Sequence, residues 1–423
     1  MKISFFTYGC KVNQYETELI KQMFLKTGGF TEVTDDSVAD VSLINTCTVT
    51  AKIDSEIARK IRQLKAKQKC KVILTGCLVQ RQDSADLTNL ADWIIPNEKK
   101  FMLASYPPEI INTPAAVYES ILEGFSGKNK AFVKVEDGCD RFCAYCTVPL
   151  VRGSKIRSRD EAEILKEIKQ LSLAGFKEII LTGVNLGLFG KEKNSFTALY
   201  DILKAIIQLP GSTRVRLSSI GPVDLSNEVI NLASENPERI CPHFHLSMQS
   251  GDDAVLKRMN RNYDTGLYRK KVEYIISKMP YAGINTDVIA GFPGETKEEF
   301  ENTVAFIKEI PFSRLHVFPY SDRPNTKATV MDKKLDDKMK KERVKILMKI
   351  AEEKEIAFAQ KNKDRILSAL IEEGGNADSL FGYTENYIRV KVENDEKARK
   401  CINNIVPVKI VLIENGDIHA KIV

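Results

Sequence analysis

The stretch GCDRFCAYC sets Cys139, Cys143 and Cys146 in a C-x3-C-x2-C spacing. In a reducing compartment, cysteines this close are better read as metal ligands or reactive groups than as disulfide partners. A tight loop of this kind lets three thiolates take three corners of one cubane iron–sulfur cluster, with a fourth iron left open. Zinc with a fourth ligand from elsewhere, or plain structural cysteines, are the other readings. Three more cysteines, Cys10, Cys47 and Cys77, each follow an apolar run: ISFFTY, VSLIN and VILT. They could be independent buried residues, the usual fate of cytosolic cysteine, or a second set of ligands.

The elements around them decide between these. The three runs read as buried strands with helical patterns between, which predicts a parallel sheet with right-handed crossovers. Ligands of such sheets sit beyond the carboxyl ends of the strands, so the geometry should gather Cys10, Cys47 and Cys77. ADWIIP predicts a fourth strand, and the Pro-containing stretch from Tyr106 to Pro114 a boundary. From Lys130 the alternation starts afresh for six rounds: AFVKVEDG, KEIILTG, RVRLSSI, HFHLSMQS, INTDVIAGFPG and RLHVFPYS, with amphipathic helices between. The clearest helix is DEAEILKEIKQLSLAGF, with Asp160 as N-cap and Gly175 as stop. Six βα units predict a barrel or partial barrel, with its chemistry at the carboxyl ends of the strands. The charged segment from Asp332 to Lys363 predicts a connecting helix. ALIEEG, YIRVKVE and VPVKIVLIE then predict a small β-barrel or similar module.

Length and composition frame this. The 423 residues suggest about two or three domains. With 43% hydrophobic and 28% charged residues the composition is that of a soluble globular protein. No apolar run approaches the ~18 residues of a membrane helix, and MKISFFTYGC reads as a strand rather than a signal peptide. The expectation is a cytoplasmic protein with no membrane partner. A net charge of +6 permits phosphate contact without demanding it.

The loop GCDRFCAYC, followed in order by the strand-end motifs, resembles the radical S-adenosylmethionine superfamily. The resemblance implies that Cys139, Cys143 and Cys146 hold a [4Fe–4S] cluster whose open iron binds the amino and carboxylate groups of S-adenosylmethionine. The cluster then cleaves this molecule to a 5′-deoxyadenosyl radical. It further implies a cofactor pocket lined by backbone near Tyr145, by Gly183 and Asn185 of LTGVN, by Ser218 and Ser219 of RLSSI, by Gln249 of HLSMQSG, and by Gly291 and Pro293 of IAGFPGE. Singly, motifs such as GFPGE are more often turns; six in register on six strands are not.

YGCKVNQYE, INTCTVT and LTGC resemble the methylthiotransferase family, and the resemblance runs on through VRGSKIRSR, CPHFHLSMQSGDDAVLKRMNRNYD and LHVFPYS over nearly the whole chain. It implies a second, auxiliary [4Fe–4S] cluster on Cys10, Cys47 and Cys77. One S-adenosylmethionine methylates a sulfur carried there, and a second generates the radical that opens the substrate C–H bond, with an electron donor such as flavodoxin or ferredoxin. The C-terminal module resembles the TRAM domain of RNA-modifying enzymes. The implied partition is residues 1–125, 126–358 with the connecting helix, and 359–423.

For RNA, Arg152, Arg157 and Arg159 of VRGSKIRSR put cations directly after the cluster loop. Tyr383, Tyr387 and Arg389 of FGYTENYIRV could stack on bases and hold phosphates. Asn13 is placed on the substrate side with them. The bland readings are a solvated turn and an ordinary barrel surface. Cys70, Cys241 and Cys401 lack the strand-end placement and read as non-ligands; His243, His245 and His316 read as structural, although an inward His316 could line the pocket. Lys11 and Val12 after the first cysteine resemble the branch acting on N6-threonylcarbamoyladenosine in the tRNA anticodon stem-loop. The isopentenyladenosine branch more often has Gln-Met there, and the ribosomal-protein branch Pro-Lys. RPNTKA departs from the family's pattern by carrying Asn325 where Gly is expected. A two-cluster electron carrier and a pure RNA-binding protein are the readings from other classes.

Overall fold

The computed structural model describes residues 1–66, 70–102, 105–107, 124–125, 130–195, 197–375 and 379–423. The boundary stretch expected to end at Pro114 lies outside the described residues from 108 onward. The chain forms two compact units. The first comprises Met1–Glu123, Asp137–Ile156 and Ser321–Thr329; the second comprises Gly124–Glu136, Arg157–Tyr320 and Val330–Val423.

The first unit is built on a five-stranded sheet in the spatial order Thr31–Glu32, Lys2–Thr7, Val41–Thr46, Lys71–Gly76, Trp93–Ile94. Every neighbouring pair is parallel. The three strands expected ahead of cysteines are there, and ADWIIP gives only the two-residue edge strand. Successive side chains of a strand face opposite ways. Leu43 and Ile73 accordingly pack with Ile20, Met23 and Phe24 of the helix Lys11–Lys26. Ile44 and Leu74 pack with Ile57, Ile61 and Leu64 of the helix Ala51–Ala66. Each such buried side chain contributes about 1.5–3 kcal/mol. A sheet covered on both faces leaves its strand ends as the place where polar chemistry can emerge.

The second unit carries the six expected parallel strands in two sheets. Arg214–Leu217, Glu178–Thr182 and Lys130–Lys134 form one; Ser219–Ile220, His243–Leu246, Gly283–Ala290 and Arg314–Pro319 form the other. The third strand is interrupted at Ser218, where the chain passes from one sheet to the next. The helix Glu161–Leu173 begins as expected, with the Asp160 carboxylate accepting from the amides of Ala162 and Glu163. Gly175 follows it at φ 96°, a left-handed position that glycine occupies at no steric cost.

The connecting helix runs Asp337–Lys361, starting later than Asp332 because Asp336 provides the cap, accepting from Met339 N at 2.7 Å, while Lys333 is left-handed at φ 57°. A closed five-stranded barrel follows, in the order Ile366–Gly375, Ser379–Thr384, Arg389–Glu393, Asp417–Ile422, Ile405–Glu414. Three of its strands were legible as apolar runs; Ser379–Thr384 and Asp417–Ile422 were not. Leu367, Ile371, Val390, Val408 and Ile410 fill its interior. No helix among the described residues is long and apolar enough to cross a membrane.

Candidate functional site

Because the first sheet is wholly parallel, the strands ending at Thr7, Thr46 and Gly76 deliver Cys10, Cys47 and Cys77 to the same edge. Gly9, at φ 110°, approaches Cys47 so closely that an added Cβ would lie 2.5 Å from its Cβ. Cys77 N donates to Thr46 O at 2.8 Å. Asn13 fixes the edge, its amide nitrogen donating to Tyr8 O at 2.8 Å and Thr46 O at 2.9 Å. Burial pushes the Cys47 thiol up to about 12, and repulsion from Cys77 and Cys10 adds to it. Cys47 and Cys77 are buried and Cys10 is exposed; thiolates brought together at such a place need compensating positive charge, which a bound metal cluster supplies. Among the described residues no three Cys, His, Asp or Glu side chains lie close enough to hold a single metal ion. The thiolates of a cubane, by contrast, each bind a different iron. Three sulfur donors delivered to the ends of adjacent parallel strands match the donor chemistry of an iron–sulfur cluster.

The loop with Cys139, Cys143 and Cys146 belongs to the same unit. It turns in at Gly138, φ 87°, where a Cβ would meet Lys155 O at 2.1 Å. Cys139 N donates to Gly153 O at 3.2 Å and Cys146 N to Cys143 O at 2.9 Å. Phe142 takes a left-handed φ of 46° between the first two cysteines. Val148 N donates to Cys146 Sγ at 3.4 Å, a contact that favours the thiolate. Tyr145 is half-buried, and its neighbour Ala144 accepts from Ala328 N at 2.7 Å.

Arg152, expected as an RNA-facing cation, is only 6% exposed. Its guanidinium donates to both Glu16 oxygens at 3.0 and 2.8 Å, to Asn13 Oδ1 at 2.5 Å and to Asp137 at 3.2 Å. Lys100 completes the cluster, 2.6 Å from Glu16. Asn13 is fully buried as well, so neither residue presents a surface to RNA. A buried guanidinium is retained only where carboxylates and amides satisfy it, which is what Glu16, Asp137 and Asn13 do.

In the second unit, the residues expected to line a cofactor pocket stand at the carboxyl ends of parallel strands. Gly183 and Asn185 follow Glu178–Thr182, and Ser218 and Ser219 lie at the sheet break. Gly291 and Pro293 follow Gly283–Ala290, and Gln249, at φ 72°, bridges to Val288 of that strand. Ser218 presents a buried hydroxyl with no hydrogen-bond partner, open to a polar group at that strand end. Several neighbours are already engaged. Asn185 donates to Asp224 at 2.8 Å and accepts from Gly221 N at 3.1 Å; Ser219 meets Ser247 at 2.7 Å; Gly291 N donates to Glu295 at 2.9 Å.

Glu136 escaped the sequence reading. It is fully buried, accepts from Asn185 N at 3.1 Å, and would be 2.5 Å from a Cβ on Gly183. A carboxylate in a strand that runs into the cysteine loop was the available signal. Arg323 and Asp54 also went unnoticed. Asp54 accepts at 2.5 Å from both Arg81 and Arg323, and both guanidiniums reach Thr48, next to Cys47.

The aromatic residues expected to stack on bases stack inside the second unit. Tyr387 lies 4.5 Å from His243 and 4.9 Å from Tyr383, with Arg216 over its ring at 4.8 Å. Lys130 covers Tyr383 at 4.3 Å. Their faces join the barrel to the α/β core, as do Arg214 and Arg216, which donate to carbonyls of Ser368, Thr384 and Glu385. Arg157 and Arg389 are exposed; Arg159 is held by Glu167 at 2.6 Å. Cys70 meets Ser42 at the opposite end of the sheet from the other thiols, Cys241 is buried beside Glu178, and Cys401 packs on the barrel core. His245 pairs with Asp287 at 3.0 Å and stacks on His316 at 5.6 Å.

Comparison with known proteins agrees with this geometry. Residues 133–307 match the model of the radical SAM superfamily, and residues 2–95 that of an uncharacterized protein family, UPF0004. The threonylcarbamoyladenosine tRNA methylthiotransferase MtaB of Aquifex aeolicus is 37% identical over 96% of this chain and 100% of its own. The protein of that name in Bacillus subtilis is 35% identical over 97% and 93%. A tRNA-2-methylthio-N(6)-dimethylallyladenosine synthase of Natranaerobius thermophilus is 32% identical over 98% and 95%. Among solved structures, the radical S-adenosylmethionine methyltransferase TsrM of Kitasatospora setae shares the fold. Its TM-score is 0.57 at 14% identity, over 78% of this chain and 77% of that one. With cysteine sites of this form and relatives alike over nearly their full length, the chain belongs to the radical S-adenosylmethionine methylthiotransferase family of enzymes.

Proposed function

We propose that this enzyme adds a methylthio group to C2 of N6-threonylcarbamoyladenosine at position 37 of tRNA, next to the anticodon, in the cytoplasm. The observation that carries the reading is the gathering of Cys10, Cys47 and Cys77 at one sheet edge, in a chain that also holds the C-x3-C-x2-C loop. Two [4Fe–4S] clusters and S-adenosylmethionine, when bound, supply the radical that opens an unactivated C–H bond and the sulfur that replaces the hydrogen. Cys139, Cys143 and Cys146 hold the radical-forming cluster, and Cys10, Cys47 and Cys77 the auxiliary one.

Within the second unit, Ser218 offers its hydroxyl to S-adenosylmethionine, and Gly183, lacking a side chain, lets the Glu136 carboxylate pack against the same strand end. Gln249, Gly291 and Pro293 border the same strand ends. The exposed Arg157 and Arg389 draw the phosphates of the anticodon stem-loop. A flavodoxin or ferredoxin supplies electrons. In this reading residues 1–125 form the auxiliary-cluster domain, 126–358 the radical domain with its connecting helix, and 359–423 the RNA-binding barrel.

Lys11 and Val12 after Cys10, and the names of the relatives at 37% and 35% identity, favour threonylcarbamoyladenosine over isopentenyladenosine. Mass analysis of tRNA nucleosides from cells lacking the protein tests this. Loss of the methylthiolated threonylcarbamoyl nucleoside supports the proposal; loss of the isopentenyl one instead overturns it.

A further inference from the structure

We propose that Arg152 is a positioning residue for the site of Cys10, Cys47 and Cys77, fixing the radical-cluster loop against it and placing a positive charge beside Cys10. The inference rests on the two-cluster reading above. Arg152 stands six residues beyond Cys146 and is buried within the first unit. One guanidinium makes three connections there. It reaches Asn13 at 2.5 Å, and Asn13 in turn lies 3.9 Å from Cys10 Sγ. It pairs with Glu16, one helical turn further along the same helix. It also pairs with Asp137, just ahead of Gly138 and Cys139.

Arg152 therefore ties the segments before and after the cysteine loop to the helix that starts at Cys10. It is also a charge source. Its Nη2 donates to the same Asn13 oxygen that Cys10 Sγ faces at 3.9 Å, so one amide oxygen stands between the guanidinium and that sulfur. Glu16 and Asp137 face the guanidinium, and Lys100 faces Glu16; removing the guanidinium leaves both carboxylates in place. A fixed cation beside a cluster stabilises its more negative, one-electron-reduced form, so Arg152 should raise the reduction potential of a cluster on these thiols. Sequence reading missed this because VRGSKIRSR looks like a solvated basic turn, and only the fold shows that its first arginine turns inward.

The test uses the full chain with Cys139, Cys143 and Cys146 replaced by Ala, reconstituted with iron and sulfide so that only the Cys10, Cys47 and Cys77 site is filled. Iron content and an electron-paramagnetic-resonance redox titration are compared for this parent, for Arg152→Gln and for Arg152→Lys. The expected result is about four irons in the parent, a shift to more negative potential in Arg152→Gln, and a potential near the parent's in Arg152→Lys. Loss of iron in Arg152→Gln but not in Arg152→Lys also supports a charge role. Equal potentials in all three, equal shifts in both variants, or iron loss in both would overturn it. A parent without iron would instead sink the two-cluster reading, and the inference with it.

Discussion

Gly9 and Cys47 are packed so closely that a methyl group on Gly9 would come within 2.8 Å of the Cys47 sulfur. The glycine also holds φ 110°, where a side chain is strained. Gly9→Ala is therefore expected to push Cys47 out of register with Cys10 and Cys77 while leaving the loop of Cys139 untouched. Iron per chain should fall from about eight toward about four, at roughly four per cubane. S-Adenosylmethionine cleavage should persist. Undiminished iron in the variant would contradict the placement.

Asn325 sits where the family's pattern has glycine, and it adopts φ 63°. Asparagine visits this left-handed region more readily than other residues with a side chain, so the departure keeps the turn. Asn325→Gly should change stability by less than about 1 kcal/mol, whereas Asn325→Val should cost about 1–2 kcal/mol. Urea unfolding measures both, and equal effects would show that the turn does not require this conformation.

Glu178 lies beneath the barrel, bound to Arg216 and Arg214 at 2.8 Å. Burial alone would raise its carboxyl, but Arg216 and then Arg214 outweigh this and hold it well below the usual range. A depressed carboxylate contributes stability that is fully present above the unfolded value of about 4.3 and is lost as pH falls toward the folded one. Glu178→Gln should cost about 3–5 kcal/mol at pH 7, the range for breaking a buried ion pair. The gap from the parent should shrink by about 1.4 kcal/mol per pH unit below about 4.3. A gap unchanged between pH 7 and pH 3 would refute the assignment.

Tyr387 and Arg389, two residues apart, should respond differently to substitution. Tyr387 is committed to His243 and Tyr383, so Tyr387→Ala should lower thermal stability. Arg389 is exposed and lies over the Phe381 ring at 4.0 Å, so Arg389→Ala should cost no more than about 1 kcal/mol, weaken tRNA binding, and reduce the salt dependence by about one phosphate contact. Salt-dependent binding to a tRNA transcript separates them; an unchanged salt slope for Arg389→Ala would remove it from the RNA surface.

The parts of the fold set by local pattern could be read in advance. Apolar runs flanked by helical periodicity yielded the strands that carry Cys10, Cys47 and Cys77, and Asp160 capped its helix as its chemistry requires. The two barrel strands that went unread, Ser379–Thr384 and Asp417–Ile422, gain their stability from neighbours distant in sequence. The same limit explains Arg152, Tyr383 and Tyr387. Charge and aromaticity are visible in a sequence, but whether they face solvent depends on partners such as Glu16, lying 136 positions away, and His243. Asp54 was hidden because a single carboxylate in a helix has no spacing to betray it, and Glu136 had only its place ahead of the cysteine loop to mark it.

In the proposed function, two separate groups of three cysteines each hold a cluster. Iron content of the reconstituted protein, with Cys10, Cys47 and Cys77 all replaced by Ala, tests this. The expected result is a fall from about eight irons per chain to about four, with S-adenosylmethionine cleavage retained and methylthiolation lost. Iron content unaffected by the triple replacement would contradict it.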